Sequence, residues 1–221
     1  MAAERLFIFD CDGVLVDSEP LAAKAYVHAY AGRGLTIGPE VIAECIGMKQ
    51  ADIFTRIEQL TGVVFPAAHA DDIWKVTKDI FTEELQPTPG ITEFLETLDR
   101  PRCVASSSSI ERILHSLTLT KLLPHFEGSI FSSSMVKRGK PAPDLFLFAA
   151  ERLGYAPQDC VVIEDSPFGV QAAVAAGMTV LGFTGGGHSS PAHAAQLRAA
   201  GAELVFAGWP AIAAWRRANG L

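Results

Sequence analysis

Asp10 and Asp12 stand two residues apart at the end of the apolar run Leu6-Phe7-Ile8-Phe9, and Gly13 follows at once. A short apolar run closed by polar residues and a glycine has the make-up of a buried strand, so the two carboxylates fall at its carboxyl end. In open α/β sheets that end is where ligands bind. Side chains alternate along a strand, so Asp10 and Asp12 can face one crevice while Cys11 points the other way, and Gly13 lets the backbone turn out of the sheet. Two acids converging on one small volume suit acid–base work or nucleophilic attack. A D-x-D-G turn alone is also ordinary strand-end structure.

Three further stretches carry compatible chemistry. Val161-Val162-Ile163-Glu164-Asp165-Ser166 is a second apolar run, ending in two adjacent acids. Like charges side by side at a strand end are costly unless a cation sits between them and Asp10. Oxygen donors from Asp10 and Asp165, with Glu164 as a further candidate, describe an octahedral Mg²⁺ site, and no His or Cys cluster offers a zinc alternative. A serine run, Ser106-Ser107-Ser108-Ser109, follows another strand-like segment and leads into a helix. Hydroxyls and free N–H groups there can cradle an anion, although N-capping is the plainer reading for any one serine. Lys140 lies in a basic loop in which Lys137 and Arg138 read as a solvated face.

Holding these groups together takes a scaffold. From residue 91 onward the pattern alternates: helix 91–98, strand 102–105, helix 110–117, strand 129–131, helix 143–153, strand 160–163, helix 168–176, strand 179–183, helix 191–200, strand 203–206 and helix 210–218. Regular βα alternation predicts an α/β fold, a mostly parallel, doubly wound sheet with helices on both faces. Between the first strand and the linker Gln86-Pro87-Thr88-Pro89-Gly90, only helical patterns occur: one to Ala31 started by a Ser18 cap, then 39–46, 50–60 and 67–85. The expected organisation is a Rossmann-like core over residues 1–16 and 87–221, with residues 17–86 as an all-helical insert placed to close over substrate. Thr184-Gly185-Gly186-Gly187-His188 is a flexible loop after a core strand that could touch the rim of the site, although a plain loop is the simpler reading.

Composition narrows the partners. Of 221 residues 49% are hydrophobic, with no apolar run of bilayer length and no charged-then-apolar signal at the start, so a soluble, cytoplasmic protein is expected. Cys11, Cys45, Cys103 and Cys160 are scattered without a C-x-x-C pair and read as small buried hydrophobes in a reducing compartment. A formal net charge of −7 argues against nucleic acid or an anionic membrane as partner. An anionic small molecule would need local positive charge from a metal ion and a lysine.

DCDGVLVDSE, the serine turn, K-P-x-P-D around Lys140 and VVIEDS, in that order, resemble the four motifs of the haloacid dehalogenase superfamily, in particular its phosphatase and phosphomutase branch. The resemblance covers essentially the whole chain. It implies a Rossmann-like core with an inserted four-helix cap. It also implies that Asp10 takes a phosphoryl group as an aspartyl phosphate and that Asp12 protonates the leaving oxygen, then deprotonates the hydrolytic water. Mg²⁺ would be held by Asp10, the Asp12 carbonyl and Asp165, with Glu164 as candidate. Ser106 would contact phosphate, Ser107 would add a backbone N–H, Ser109 would cap the helix, and Lys140 would tie the nucleophile to the phosphate.

Asp12 argues against the dehalogenases and phosphonate hydrolases of that superfamily. Its β-phosphoglucomutases carry a cap histidine and a G-x-S-R arginine where this chain has Ala22 and Gln50. A phosphatase acting on a small phosphorylated metabolite, a sugar or polyol phosphate, is therefore expected, with Lys49 as a substrate contact. A phosphomutase is the alternative. Non-enzymatic alternatives are a sugar-phosphate sensor and a receiver-like phospho-switch, but receivers place the acidic pair before the phosphorylated Asp and lack a helical insert.

Overall fold

Every residue of Leu6-Phe7-Ile8-Phe9 is sealed from solvent in the computed structural model, which describes residues 5–48, 50–126 and 128–221. This strand, β1 (Leu6–Phe9), lies inside a parallel sheet with β2 (Arg102–Ser106), β3 (Ile130–Ser132), β4 (Cys160–Glu164), β5 (Thr179–Phe183) and β6 (Leu204–Phe206). The strand order is β3-β2-β1-β4-β5-β6. The order reverses at β1, and a doubly wound sheet opens its ligand crevice at such a switch point, beyond the carboxyl ends of the strands. Phe9 pairs with Ile163 at the edge of that crevice. Asp10 therefore emerges beside Glu164 and Asp165.

The alternation of β1 sorts its side chains between two cores. Phe7 and Phe9 pack with Phe94, Phe126 and Trp209, contributed in part by α5 (Ile91–Thr97) and α10 (Trp209–Ala218), and with Ile113 and Leu117 of α6 (Ile110–Leu119). Leu6 and Ile8 pack on the opposite face, against α7 (Asp144–Leu153), α8 (Pro167–Ala175) and α9 (His193–Ala200) through Leu145, Phe146, Val170 and Leu197. Each such side chain contributes roughly 1.5–3 kcal/mol when fully buried. A strand fixed from both faces is a rigid mount for the acids at its end.

Between β1 and β2 come α1 (Glu19–Ala31), α2 (Pro39–Ala43), α3 (Gln50–Thr61) and α4 (Ala70–Glu84), which share an apolar cluster of their own around Tyr26, Tyr30, Ile42, Ile57, Phe65 and Ile73. The two chain crossings that lead into and out of this segment run side by side. Val16 pairs antiparallel with Pro87, and Asp17 N donates to Gln86 O at 2.9 Å. Buried Thr88 donates its hydroxyl to Val14 O at 2.6 Å and accepts from Trp209 Nε1 at 2.8 Å. No helix among the described residues is long and apolar enough to cross a membrane.

Two helices between β1 and β2 are shorter than the sequence pattern suggests. α2 stops at Ala43 because Cys45 N and Met48 N bond three residues back, to Ile42 O at 2.8 Å and Cys45 O at 3.1 Å, winding the chain into turns before Gly47. α4 starts at Ala70, after a single 3₁₀ turn over Ala67–His69. Ser18 precedes α1 but makes no capping bond. Its hydroxyl is spent elsewhere.

Candidate active site

Asp10 prolongs the β1 ladder by one bond, its N–H donating to Ile163 O at 3.0 Å. That aims the carboxylate into the crevice between β1 and β4. Lys140 arrives from the loop before α7 with its side chain only 1% exposed. Its ammonium donates to Asp10 Oδ1 at 2.7 Å, Glu164 Oε1 at 2.6 Å and Ala105 O at 3.1 Å, one partner for each of its three hydrogens. Glu164 Oε2 accepts from the N–H and hydroxyl of Ser166 at 2.9 and 3.0 Å. Ser166 Oγ also accepts from Gly169 N at 3.0 Å, capping α8.

Positive charge falls short here. Ligand atoms of Asp10, Glu164 and Asp165 lie within 4.8 Å of one another, and Lys140 is the cation in contact with two of them. Burial, with repulsion from Glu164 and Asp165, raises the Asp10 pKa well above the usual range against the opposing pull of Lys140. Burial and Glu164 do the same to Asp165. Asp165 Oδ2 is buried without a hydrogen-bond partner. Gly13, at φ +74°, makes room for it, since a Cβ there would stand 1.8 Å from that oxygen. An all-oxygen donor set, undercharged and with an orphaned carboxylate oxygen, fits a hard divalent cation such as Mg²⁺.

Asp12 sits in a different environment. Oδ1 accepts from Ser18 Oγ at 2.7 Å and Arg112 Nη2 at 2.7 Å, and Oδ2 accepts from Ser108 Oγ at 2.6 Å. Burial alone would favour the neutral acid, but Arg112 and the hydrogen bonds from Ser108 and Ser18 win and hold its pKa below the usual value. Two carboxylates two residues apart are thus pushed in opposite directions, the arrangement that separates acid–base roles in catalysis. Glu19 lines the same cavity, and burial together with Asp12 and Asp165 pushes its pKa up to about 8.

The serine turn is braced from two sides. Ser106 Oγ accepts from Ser108 N at 3.1 Å, and Ser109 Oγ accepts from Arg112 N at 3.3 Å, capping α6 as its position suggested. Ser132 and Ser133, at the end of β3, donate to Ser108 O at 2.6 Å and Ser107 O at 2.7 Å. Ser107 Oγ donates to Gly47 O at 2.9 Å, tying the turn to the loop after α2. Ser106, Ser107, Asp10 and Asp12 line one cavity; Lys140, Glu164 and Asp165 are joined to it through Asp10. Lys49 lies outside the described residues, while Met48 beside it lines the cavity.

Sequence reasoning passed over Arg112, although a signal existed. A cation in the first turn of a helix opposes the helix dipole and calls for a nearby counter-charge. Loop 184–188 takes the less simple of its two readings and touches the rim of the site. Gly187 N donates to Asp17 Oδ1 at 2.8 Å, and His188 Nε2 lies 3.1 Å from Asp165 Oδ2, close but outside hydrogen-bonding alignment. His193 Nε2 is 2.6 Å from Asp165 O. A run of glycines was the available hint, because only their small bulk lets this loop approach the Asp10–Asp17 segment so closely.

A family model for haloacid dehalogenase-like hydrolases matches residues 7–183. The chain is 31% identical over 193 residues to the 6-phosphogluconate phosphatase of Escherichia coli strain K12, covering 86% of this chain and 87% of that one. It is 35% identical over 185 residues to hexitol phosphatase A of the same organism, covering 79% and 81%. A haloacid dehalogenase-like protein of unknown function from Agrobacterium tumefaciens shares 36% identity at a TM-score of 0.84, over 99% of this chain and 100% of that one. A family hydrolase from Deinococcus radiodurans R1, solved with bound phosphate and sodium, shares 33% identity at a TM-score of 0.79, over 100% and 99%.

Proposed function

The chain belongs to the haloacid dehalogenase-like hydrolases, and on that premise we propose that it is a divalent-cation-dependent phosphatase of small phosphorylated sugars or polyols, working through a phosphorylated Asp10. The observation that carries this reading is the meeting of Asp10, Glu164 and Asp165 at the sheet's switch point, with one buried ammonium shared by the first two and Asp12 close by in the opposite protonation bias.

Asp10 and Asp165 would hold the cation, since both Glu164 oxygens are already engaged by Lys140 and Ser166. When bound, a divalent cation supplies charge neutralisation for the phosphoryl oxygens. Lys140 fixes the Asp10 rotamer and offsets repulsion between two anions brought together. An Asp10 oxygen attacks phosphorus and the ester P–O bond breaks, with the leaving oxygen taking a proton from Asp12. Water then attacks the aspartyl phosphate, gives its proton to Asp12, and inorganic phosphate departs as the Asp10 carboxylate is restored. The donors around Asp12 favour its ionised form, which suits the second step; acid duty in the first requires one of them to let go. The serine turn supplies N–H and hydroxyl groups to the phosphate.

The helical segment 17–86 acts in this reading as a cap, hinged where Val16 and Pro87 run together. Ala22 lines the cavity without a group able to move a proton, and Gln50 donates its amide to Ala70 O at 3.0 Å. Both features favour a phosphatase over a mutase. The test is phosphate release from a panel of sugar and polyol monophosphates, with and without metal. Mg²⁺-dependent release at kcat values of at least about 1 s⁻¹ on some member is expected. Full turnover by metal-stripped protein in excess EDTA overturns the cation assignment, and background release throughout favours the sensor.

A further inference from the structure

Arg112 stands in the first turn of α6, where a cation is out of place, and Asp12 uses only part of it. Nη2 serves Asp12 Oδ1, while Nε is buried without a hydrogen-bond partner. The side chain still keeps 19% of its surface open where it lines the cavity, so a ligand oxygen can meet the guanidinium beside Asp12. Arg112 borders two adjoining cavities, one shared with Asp10, Asp12 and Glu19, the other reaching Trp74 and Thr77 on α4. Its guanidinium is braced by the Phe81 ring, 5.0 Å away, so it is held in place rather than free to fold back. Glu19, from the start of α1, brings an acceptor into the same cavity as this donor.

We propose that Arg112 and Glu19 form a subsite that reads the hydroxyl groups on the carbons nearest the phosphoester, so that the chain takes phosphates of polyhydroxylated carbon chains and rejects their alkyl and deoxy counterparts. The proposal rests on the phosphatase reading above. Arg112 is bonded to the residue that would meet the ester oxygen, so whatever it touches next lies one or two carbons away from that oxygen. Asp12 already neutralises the guanidinium, and a substrate carboxylate there would be a second anion for one cation. An alkyl chain would desolvate the open edge of the guanidinium and offer it no acceptor. A hydroxyl is neutral and both donates and accepts, so it can answer Arg112 and Glu19 together.

Paired esters test this: glycerol 1-phosphate against propyl phosphate, and glucitol 6-phosphate against hexyl phosphate. In the unaltered protein, kcat/KM for the hydroxylated member of at least one pair should exceed that of its alkyl partner by a factor on the order of 10² or more. Arg112→Gln and Glu19→Gln should each reduce that ratio by about tenfold or more, chiefly through KM of the hydroxylated ester. A ratio near one in the unaltered protein, or a ratio that survives both substitutions, overturns the subsite; the first comparison stands even if a variant does not fold. p-Nitrophenyl phosphate separates the two levels of the account. If it is hydrolysed while no hydroxylated ester is preferred, the subsite alone falls, and if it and every ester stay intact in Mg²⁺, the phosphatase reading falls with it.

Discussion

Asp10→Asn is expected to lower turnover of every phosphate ester by about 10⁴-fold or more, because an amide is a poor nucleophile and a poor cation ligand. The loss should come without loss of fold. In the metal-free protein the Asp10 carboxylate is a burden: burial raises its pKa first, and Glu164 and Asp165 add to the rise against Lys140. A carboxyl with a folded pKa above its unfolded value keeps its proton longer in the folded state, so its ionisation costs stability as pH climbs from about 4. Ionisation of Asp10 should therefore cost the metal-free protein stability from acid toward neutral pH, and the Asp10→Asn variant should be spared that cost over the window. Urea unfolding in EDTA at about pH 5 and about pH 8 reads the difference. A steeper loss in the variant would contradict the charge assignment.

Lys140→Met is expected to do damage of both kinds. It removes the ammonium that Asp10 and Glu164 share and leaves two buried carboxylates uncompensated, at a stability cost of ~3–5 kcal/mol. Turnover of p-nitrophenyl phosphate by the folded fraction should fall by about 10²- to 10³-fold, the scale of losing a preorganised charge at a reacting centre. Lys140→Arg should rescue neither quantity. The native ammonium directs its hydrogens to Asp10 Oδ1, Glu164 Oε1 and Ala105 O, and a flat guanidinium fork cannot reproduce that three-way geometry in a fully enclosed site. Near-native activity in the arginine variant would mean that Lys140 contributes charge alone.

Asp10, Asp12, Glu164 and Asp165 were legible because each lies within or just past an apolar run, and a buried parallel strand writes itself into sequence as such a run. Ser109 was legible as a cap for a similar reason, its partner being three residues away. Contacts between distant segments were not. Arg112 meets Asp12 across 100 residues, and Ser18 gives its hydroxyl to Asp12 instead of to the helix it precedes. The same limit left the place of His188 open, since its approach to Asp165 depends on how tightly a glycine loop packs on the first strand-end turn. Helix ends in the insert were misjudged where three-residue turns replaced helical ones.

The central claim is that Asp10 carries the phosphoryl group, and the Asp12→Asn variant offers the most direct view of it. The substitution keeps the backbone of the strand-end turn but removes the proton donor and base, so a substrate with a good leaving group can still phosphorylate Asp10 while hydrolysis slows. Acetyl phosphate with Mg²⁺, acid quenching and peptide mass spectrometry should find a single phosphoryl group on the peptide that contains Asp10, located at Asp10 by fragmentation. Label on a different residue, or no label while the variant still releases phosphate, would contradict the account.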